Sequence, residues 1–234
     1  MEQDYQTRLQ THRDIQELVG AGPQARSTQV LKRQGSAQSV MQPRYAKAAG
    51  TLFFIGAVQF ILALIISEAL YPSYNTSANY ISDLGVGPSA TIFNTSVFLL
   101  GLLIIAGAYL ILRASDNKLL TILLVLAGIG AMGVGIFTED AGPIHGVVSL
   151  IVFLFGPLSA IASYRVCKPP FCFLSIVLGL TGLAALILFI AGNNLGLGVG
   201  GIERMIVYPV LLWEVGFGAH MINQPESTAT KTTQ

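Results

Sequence analysis

Read for runs of apolar residues, the chain alternates six long hydrophobic stretches with short polar connections. They are predicted at about Ala46–Leu70, Ile92–Leu112, Leu119–Phe137, Gly146–Tyr164, Phe171–Ala191 and Glu203–Met221. Each holds about 19 or more mainly apolar residues, enough for a hydrocarbon core of about 30 Å at a rise of about 1.5 Å per residue. The predicted fold class is all-α: a polytopic transmembrane bundle of six helices with polar N- and C-terminal tails. Its domains are a polar cytoplasmic tail over 1–44, a six-helix transmembrane domain over 45–222 and a disordered cytoplasmic tail over 223–234. No cleavable signal peptide is expected, because the first hydrophobic segment starts only near Ala46 and is too long for a signal core.

Charge in the short connections sets the orientation. Arg44 and Lys47 precede the first span, Arg113 and Lys118 join the second to the third, and Arg165 and Lys168 join the fourth to the fifth. On the other side Arg204 is the only basic residue. The excess of positive charge on one side predicts a cell-membrane protein with both termini cytoplasmic. Within the first 44 residues Tyr5, Leu9, Ile15, Leu18 and Val19 outline a short amphipathic helix ended by Gly20 and Pro23. Such a helix would meet a partner in a membrane complex or the membrane surface, while a loosely ordered tail is the favoured reading.

Composition agrees with the pattern. The chain of 234 residues is 53% hydrophobic and 11% charged, against about 25% charged in soluble domains. A net charge of +1 offers no basic field for nucleic acid. The partners implied are the lipid bilayer and a lipid or ion ligand. Gly128, Gly130, Gly133 and Gly135 in the third span let backbones approach closely in lipid and place that helix centrally in the bundle. Pro157 and Pro209 are expected to kink the fourth and sixth helices.

The polar chemistry gathers at the outer side. Its segments are Tyr71–Gly85 followed by Asn94, then Phe137–His145 with Ser149 one turn on, then Asn193–Arg204 with Tyr208 behind. The expected outward polar site is Asp83, Asn94, Glu139, Asp140, His145, Ser149, Glu203, Arg204 and Tyr208. Glu203 and Arg204 carry opposite charges at the start of a span, which suits an ion pair clamping the sixth helix to a neighbour, or ligand binding. Glu68, near the outer end of the first span, can reach the same cluster. His145 and Ser149 share a helix face at i, i+4. With Asp140 or Asp83 they supply the residue types of a nucleophilic triad, and Asp83, Asp140 and His145 those of a metal site. A cation site of oxygens alone would use Asp83, Glu139 and Asp140. A plainer role for His145 is to cap or pin its loop. No triad or metal is assigned on these residues, and the cofactor stays open.

Glu214 is the sharpest single residue. It lies ten positions beyond Arg204, hence about 15 Å deeper, and three helical turns below Glu203 on nearly the same face. An ionisable group near the bilayer midplane costs about 3 kcal/mol or more unless it is paired, protonated or facing a wet cavity. Gln59, at similar depth on the first span, is the expected partner. Two weaker signals are the glycosylation sequons at Asn75 and Asn94 and the cysteines Cys167 and Cys172, which could be palmitoylated at the inner face or remain ordinary thiols.

The segments Asn79-Tyr-Ile-Ser-Asp-Leu-Gly85, Phe137-Thr-Glu-Asp-Ala-Gly-Pro-Ile-His145 and Gly200-Gly-Ile-Glu-Arg-Met-Ile-Val-Tyr-Pro209, with Trp213, together resemble a prokaryotic, notably archaeal, membrane family of unknown function. That family is distantly grouped with the DRAM/Sfk-type proteins. The resemblance covers about residues 46–222. It implies a six-helix bundle and implies that Asp83, Glu139, Asp140, His145, Glu203 and Arg204 belong to the family pattern; it implies no reaction. The polar stretch before residue 45 is longer than the resemblance explains and reads as a lineage-specific cytoplasmic extension. Three functions then compete. One is binding or moving an ion, a proton or a lipid head group at an outward site above Glu214, though no repeat of broken helices supports transport. The others are a membrane-embedded hydrolase or lipid-modifying enzyme, and a non-catalytic membrane subunit or scaffold.

Overall fold

The computed structural model describes residues 42–224. The amphipathic helix expected before residue 42 and the tail beyond 224 lie outside the described residues. Six helices long and apolar enough to cross a membrane follow one another: α1 (Pro43–Leu70), α2 (Ala90–Ser115), α3 (Lys118–Ile136), α4 (Pro143–Ala162), α5 (Phe171–Ile190) and α6 (Gly198–Ile222). The all-α bundle of six spans read from the hydrophobic runs is the fold observed. The chain is a multi-pass integral membrane protein.

Local chemistry sets the helix ends. Pro43 opens α1, where its missing N–H is no loss. Between α2 and α3, Asp116 takes a left-handed conformation and Asn117 caps α3 by accepting from the Leu120 N–H at 3.1 Å. Two residues thus reverse the chain, and α3 runs back along α2.

Each helix packs on its predecessor, and α6 returns to α1, so the six close a ring in chain order. A direct contact of α4 with α6 leaves α5 bracing the pair from outside. The outward faces carry Ile65, Ile122, Val147, Ile187 and Leu212, all well exposed, as a lipid-facing belt. Small residues bring the backbones together inside the ring. A Cβ on Gly50 would lie 2.6 Å from the Gly218 carbonyl, so α1 and α6 meet there backbone to backbone.

The glycines of α3 work on two faces. Gly128 and Gly135 meet the backbone of α2, at Gly101 and Asn94, while Gly130 and Gly133 meet Val152 and Val148 of α4. Of the six spans α3 is the most buried, at 50%, in keeping with the central place its glycines implied. Glycines on two faces make α3 a tight link between two neighbours, and the middle of the ring is left to a cavity.

Two ends of the bundle can be told apart. The proximal end holds the described chain termini and the α2–α3 and α4–α5 connections. There Gln42 N–H donates to the Ala114 carbonyl at 2.9 Å, and the Lys168 N–H to His220 Nε2 at 3.3 Å. The distal end holds the connections 71–89, 137–142 and 191–197. The first folds inward, burying Ile81, Leu84 and Gly85 over the ring.

Candidate functional site

Glu203 and Arg204 are neighbours in sequence, and successive helix positions point about 100° apart. Glu203 therefore turns into the ring and Arg204 toward α1. Both are almost fully buried. The ion pair that ties α6 to a neighbour is Arg204 with Glu68, at 2.7 Å; Glu203 takes no part in it.

The Arg204 guanidinium organises the distal end. Its Nη2 also donates to the Tyr74 hydroxyl at 2.7 Å. Its Nη1 donates to the carbonyls of Thr76 (2.9 Å), Asn79 (3.2 Å) and Gly200 (3.0 Å). Tyr74 in turn donates to the Tyr80 carbonyl at 2.7 Å. Burial pushes the Tyr74 hydroxyl up to about 12, against the opposing pull of Arg204, so it keeps its proton. Glu203 accepts from the Ile81 N–H at 2.5 Å. Ser77 hydroxyl donates to the Leu197 carbonyl at 2.6 Å, and the Gly200 N–H donates to Ser77 at 3.0 Å. At Gly200 no side chain would fit, because the Asn79 and Thr76 carbonyls press on its Cα. The 71–89 connection is thus a lid held from below by α6 and α1.

Asp83 and Asn94 hold the same lid. Asp83 accepts from the Asn79 side chain (2.9 Å) and the Tyr80 N–H (3.0 Å), and Asn94 donates to the Gly85 carbonyl at 2.9 Å. Glu139, in the short turn after α3, is pushed up to about 7, first by burial, then by its hydrogen bond to Asp83 and the charges of Asp83 and Asp140. Asp140 is exposed.

His145 and Ser149 do form a pair. His145 Nδ1 meets the Phe137 carbonyl at 2.8 Å, which pins the α3–α4 turn, and Ser149 Oγ lies 3.2 Å from Nε2. Among the described residues no three His, Cys, Asp or Glu side chains come together as a ligand set. Neither Asp83, Asp140 and His145 nor Asp83, Glu139 and Asp140 form such a set among the described residues. The carboxylate of Asp83 is engaged by its own loop and by Glu139, and the imidazole by Phe137. Tyr208 stands apart from the rest. It lines a groove on the lipid side between α1 and α6, beside Glu68.

Beneath the lid the ring holds a partly open cavity of about 90 Å³. Its walls come from α2, α3, α4 and α6, with Phe60 from α1 and Ile81 and Ser82 from the lid; α5 contributes nothing. The surface is apolar except at Ser82, Ser149, Ser159, Glu203 and Glu214. Glu203 and Glu214 share one face of α6, about 16 Å apart along the axis. Glu214 is 2% exposed, and its Oε1 has no hydrogen-bond partner. Gln59 is not its partner, contrary to expectation. The Gln59 amide donates to the Gly56 and Ser96 carbonyls, both at 3.0 Å, and so staples α1 to α2. Trp213 lies beside Glu214, stacks on Phe217 and donates to the Ser163 hydroxyl at 3.1 Å.

The aromatic walls and Tyr74 are functional candidates that the charge pattern did not single out. The sequence signal for them is the face of α6 shared by Glu203, Ile206, Val210, Trp213 and Glu214, at helical spacing. Cys167 and Cys172 are free thiols. Burial pushes Cys167 up to about 12, which keeps it an unreactive thiol. Of the two sequons, Asn75 is exposed, with its side-chain oxygen accepting from Ser77 and Ala78, while Asn94 is tied into the lid.

Residues 54–220 match a family described as protein of unknown function (DUF998). The match spans well over half of the chain, and the chain belongs to that family. No curated protein and no solved structure matches it.

Proposed function

We propose that this chain is a membrane-embedded binding protein whose cavity takes up a small ligand and engages it through Glu214. The observation that carries the reading is a carboxylate that is 2% exposed, lacks a partner at Oε1 and lines a partly open apolar cavity. A polar atom left alone in an apolar interior costs about 1–3 kcal/mol and is retained where it has a use. A hard metal cation as ligand is disfavoured, because it needs about six oxygens and the walls supply few. The distal cluster is read as the closure of the site: Arg204, Glu68, Tyr74, Asp83 and Asn94 spend their polar atoms holding the lid. With both termini cytoplasmic by the positive-inside rule, the lid faces the extracytoplasmic side of the cell membrane. A place for the family near the DRAM/Sfk-type proteins belongs to the same proposal and rests on the motif resemblance.

Diazomethane, an apolar reagent of three heavy atoms, tests this reading. It esterifies carboxyl groups that are protonated and reachable from an apolar phase. Mass spectrometry of the treated full chain should find the methyl ester on Glu214, and Ala131→Phe, which fills the cavity, should suppress it. Free reaction elsewhere with none at Glu214 would overturn the proposal.

One observation favours a second reading, that of a hydrolase. Ser149 lines the cavity and contacts an imidazole whose other nitrogen is fixed by a carbonyl, the arrangement of a nucleophile with an oriented base. A fluorophosphonate ester should then label Ser149 in the wild type and not in His145→Ala; no labelling of either excludes it.

A further inference from the structure

We infer that the ligand of this cavity is a small organic ammonium ion, an inference that rests on the cavity being a binding site. The walls hold two carboxyl groups and no cationic side chain. The nearest guanidinium, that of Arg204, is turned to Glu68, Tyr74 and the lid carbonyls. An anionic ligand would find no cationic side chain here to pair with. A neutral apolar ligand would leave Glu214 Oε1 without a partner, at the cost of a buried unsatisfied acceptor. Water fits poorly, since an ordered water needs about two to four polar contacts and most of this surface is apolar.

An ammonium group answers these requirements together. An amine that enters neutral takes the Glu214 proton, so that its N–H donors and charge complement the carboxylate left behind, and its carbon substituents match the apolar walls. Phe60, Phe93, Phe153 and Trp213 all contribute to the lining, and aromatic faces attract cations most strongly where water is excluded. Trp213 is beside Glu214 in sequence and shares the lining with it. The size is also bounded. A cavity of about 150 Å³ takes up benzene, so one of about 90 Å³ holds about four heavy atoms of an amine, with any further carbon at its open mouth.

The chain has a single tryptophan, Trp213, so its emission reports on the cavity directly. The full chain in detergent is titrated with n-butylammonium, tetramethylammonium, 1-butanol and butyrate while that emission is followed. A saturable change with an ammonium ion, weakened at least tenfold in Glu214→Gln and absent with butyrate, supports the inference. Thermal unfolding of Glu214→Gln at or above the wild-type midpoint establishes that this variant is folded. Saturable binding of butanol without binding of either ammonium ion overturns the ammonium inference and leaves the binding reading standing. So does binding of n-butylammonium that is equal in Glu214→Gln. No saturable response to any of the four overturns both.

Discussion

Arg204 on α6 and Glu68 on α1 meet at 2.7 Å, with side chains 8% and 22% exposed, and so join the last helix of the ring to the first. The same guanidinium holds three carbonyls and the Tyr74 hydroxyl, so ring closure and lid closure depend on one side chain. Removing one partner of a buried pair costs about 3–5 kcal/mol. Arg204→Leu is expected to lose stability of that order, read as a lower thermal midpoint in detergent, and to raise amide exchange over residues 74–81. Glu68→Gln keeps an acceptor for Nη2 and should cost about half as much or less. Equal midpoints for wild type and Arg204→Leu would deny the guanidinium this role.

Acid should tighten the distal end. In the folded chain Glu139 ionises at about 7 instead of its ordinary 4.5, so the folded form binds more protons between those values. Stability therefore falls as the pH rises through that window and is greatest below it. Above it the charged carboxylate stands against Asp83, the residue that pins Asn79 and Tyr80. Intrinsic-rate-corrected exchange of amides 79–86 should be slower at pH 6 than at pH 8, and Glu139→Gln should remove the difference. A pH difference unchanged in Glu139→Gln would assign it to another group.

Close approach of α1 and α6 can be tested at Gly50. A Cβ there would stand 2.6 Å from the Gly218 carbonyl and 2.7 Å from Met221 Cβ. Gly50→Val should destabilise by about 1–3 kcal/mol, the range for overpacking. Gly146, with nothing within 4 Å of its Cβ position, should accept alanine without loss. Both are read from thermal midpoints, and similar losses at the two positions would contradict the packing.

The fold was legible because a helix must satisfy its own backbone in lipid, so uninterrupted apolar runs read almost directly as spans. Glu203 and Glu214 were legible as one face, since eleven residues make about three turns. The lid was not. Arg204 is held mainly by carbonyls of Thr76, Asn79 and Gly200, and a backbone acceptor leaves no mark on the residue type that bears it. Ile81 and Leu84 looked like members of a polar outer loop, yet they are buried because that loop folds inward. Gln59 misled for a related reason. Its amide finds carbonyls on α1 and α2 and needs no carboxylate.

The central claim is that the lid closes an accessible cavity ending at Glu214, and Trp213 permits a direct measurement. Acrylamide quenching of this single tryptophan is compared between the wild type and Tyr74→Phe, which loses the hydroxyl joining Arg204 to the Tyr80 carbonyl. The account predicts weak quenching in the wild type and at least twofold stronger quenching in Tyr74→Phe, with thermal midpoints within a few degrees of each other. Equal quenching in the two proteins would contradict it.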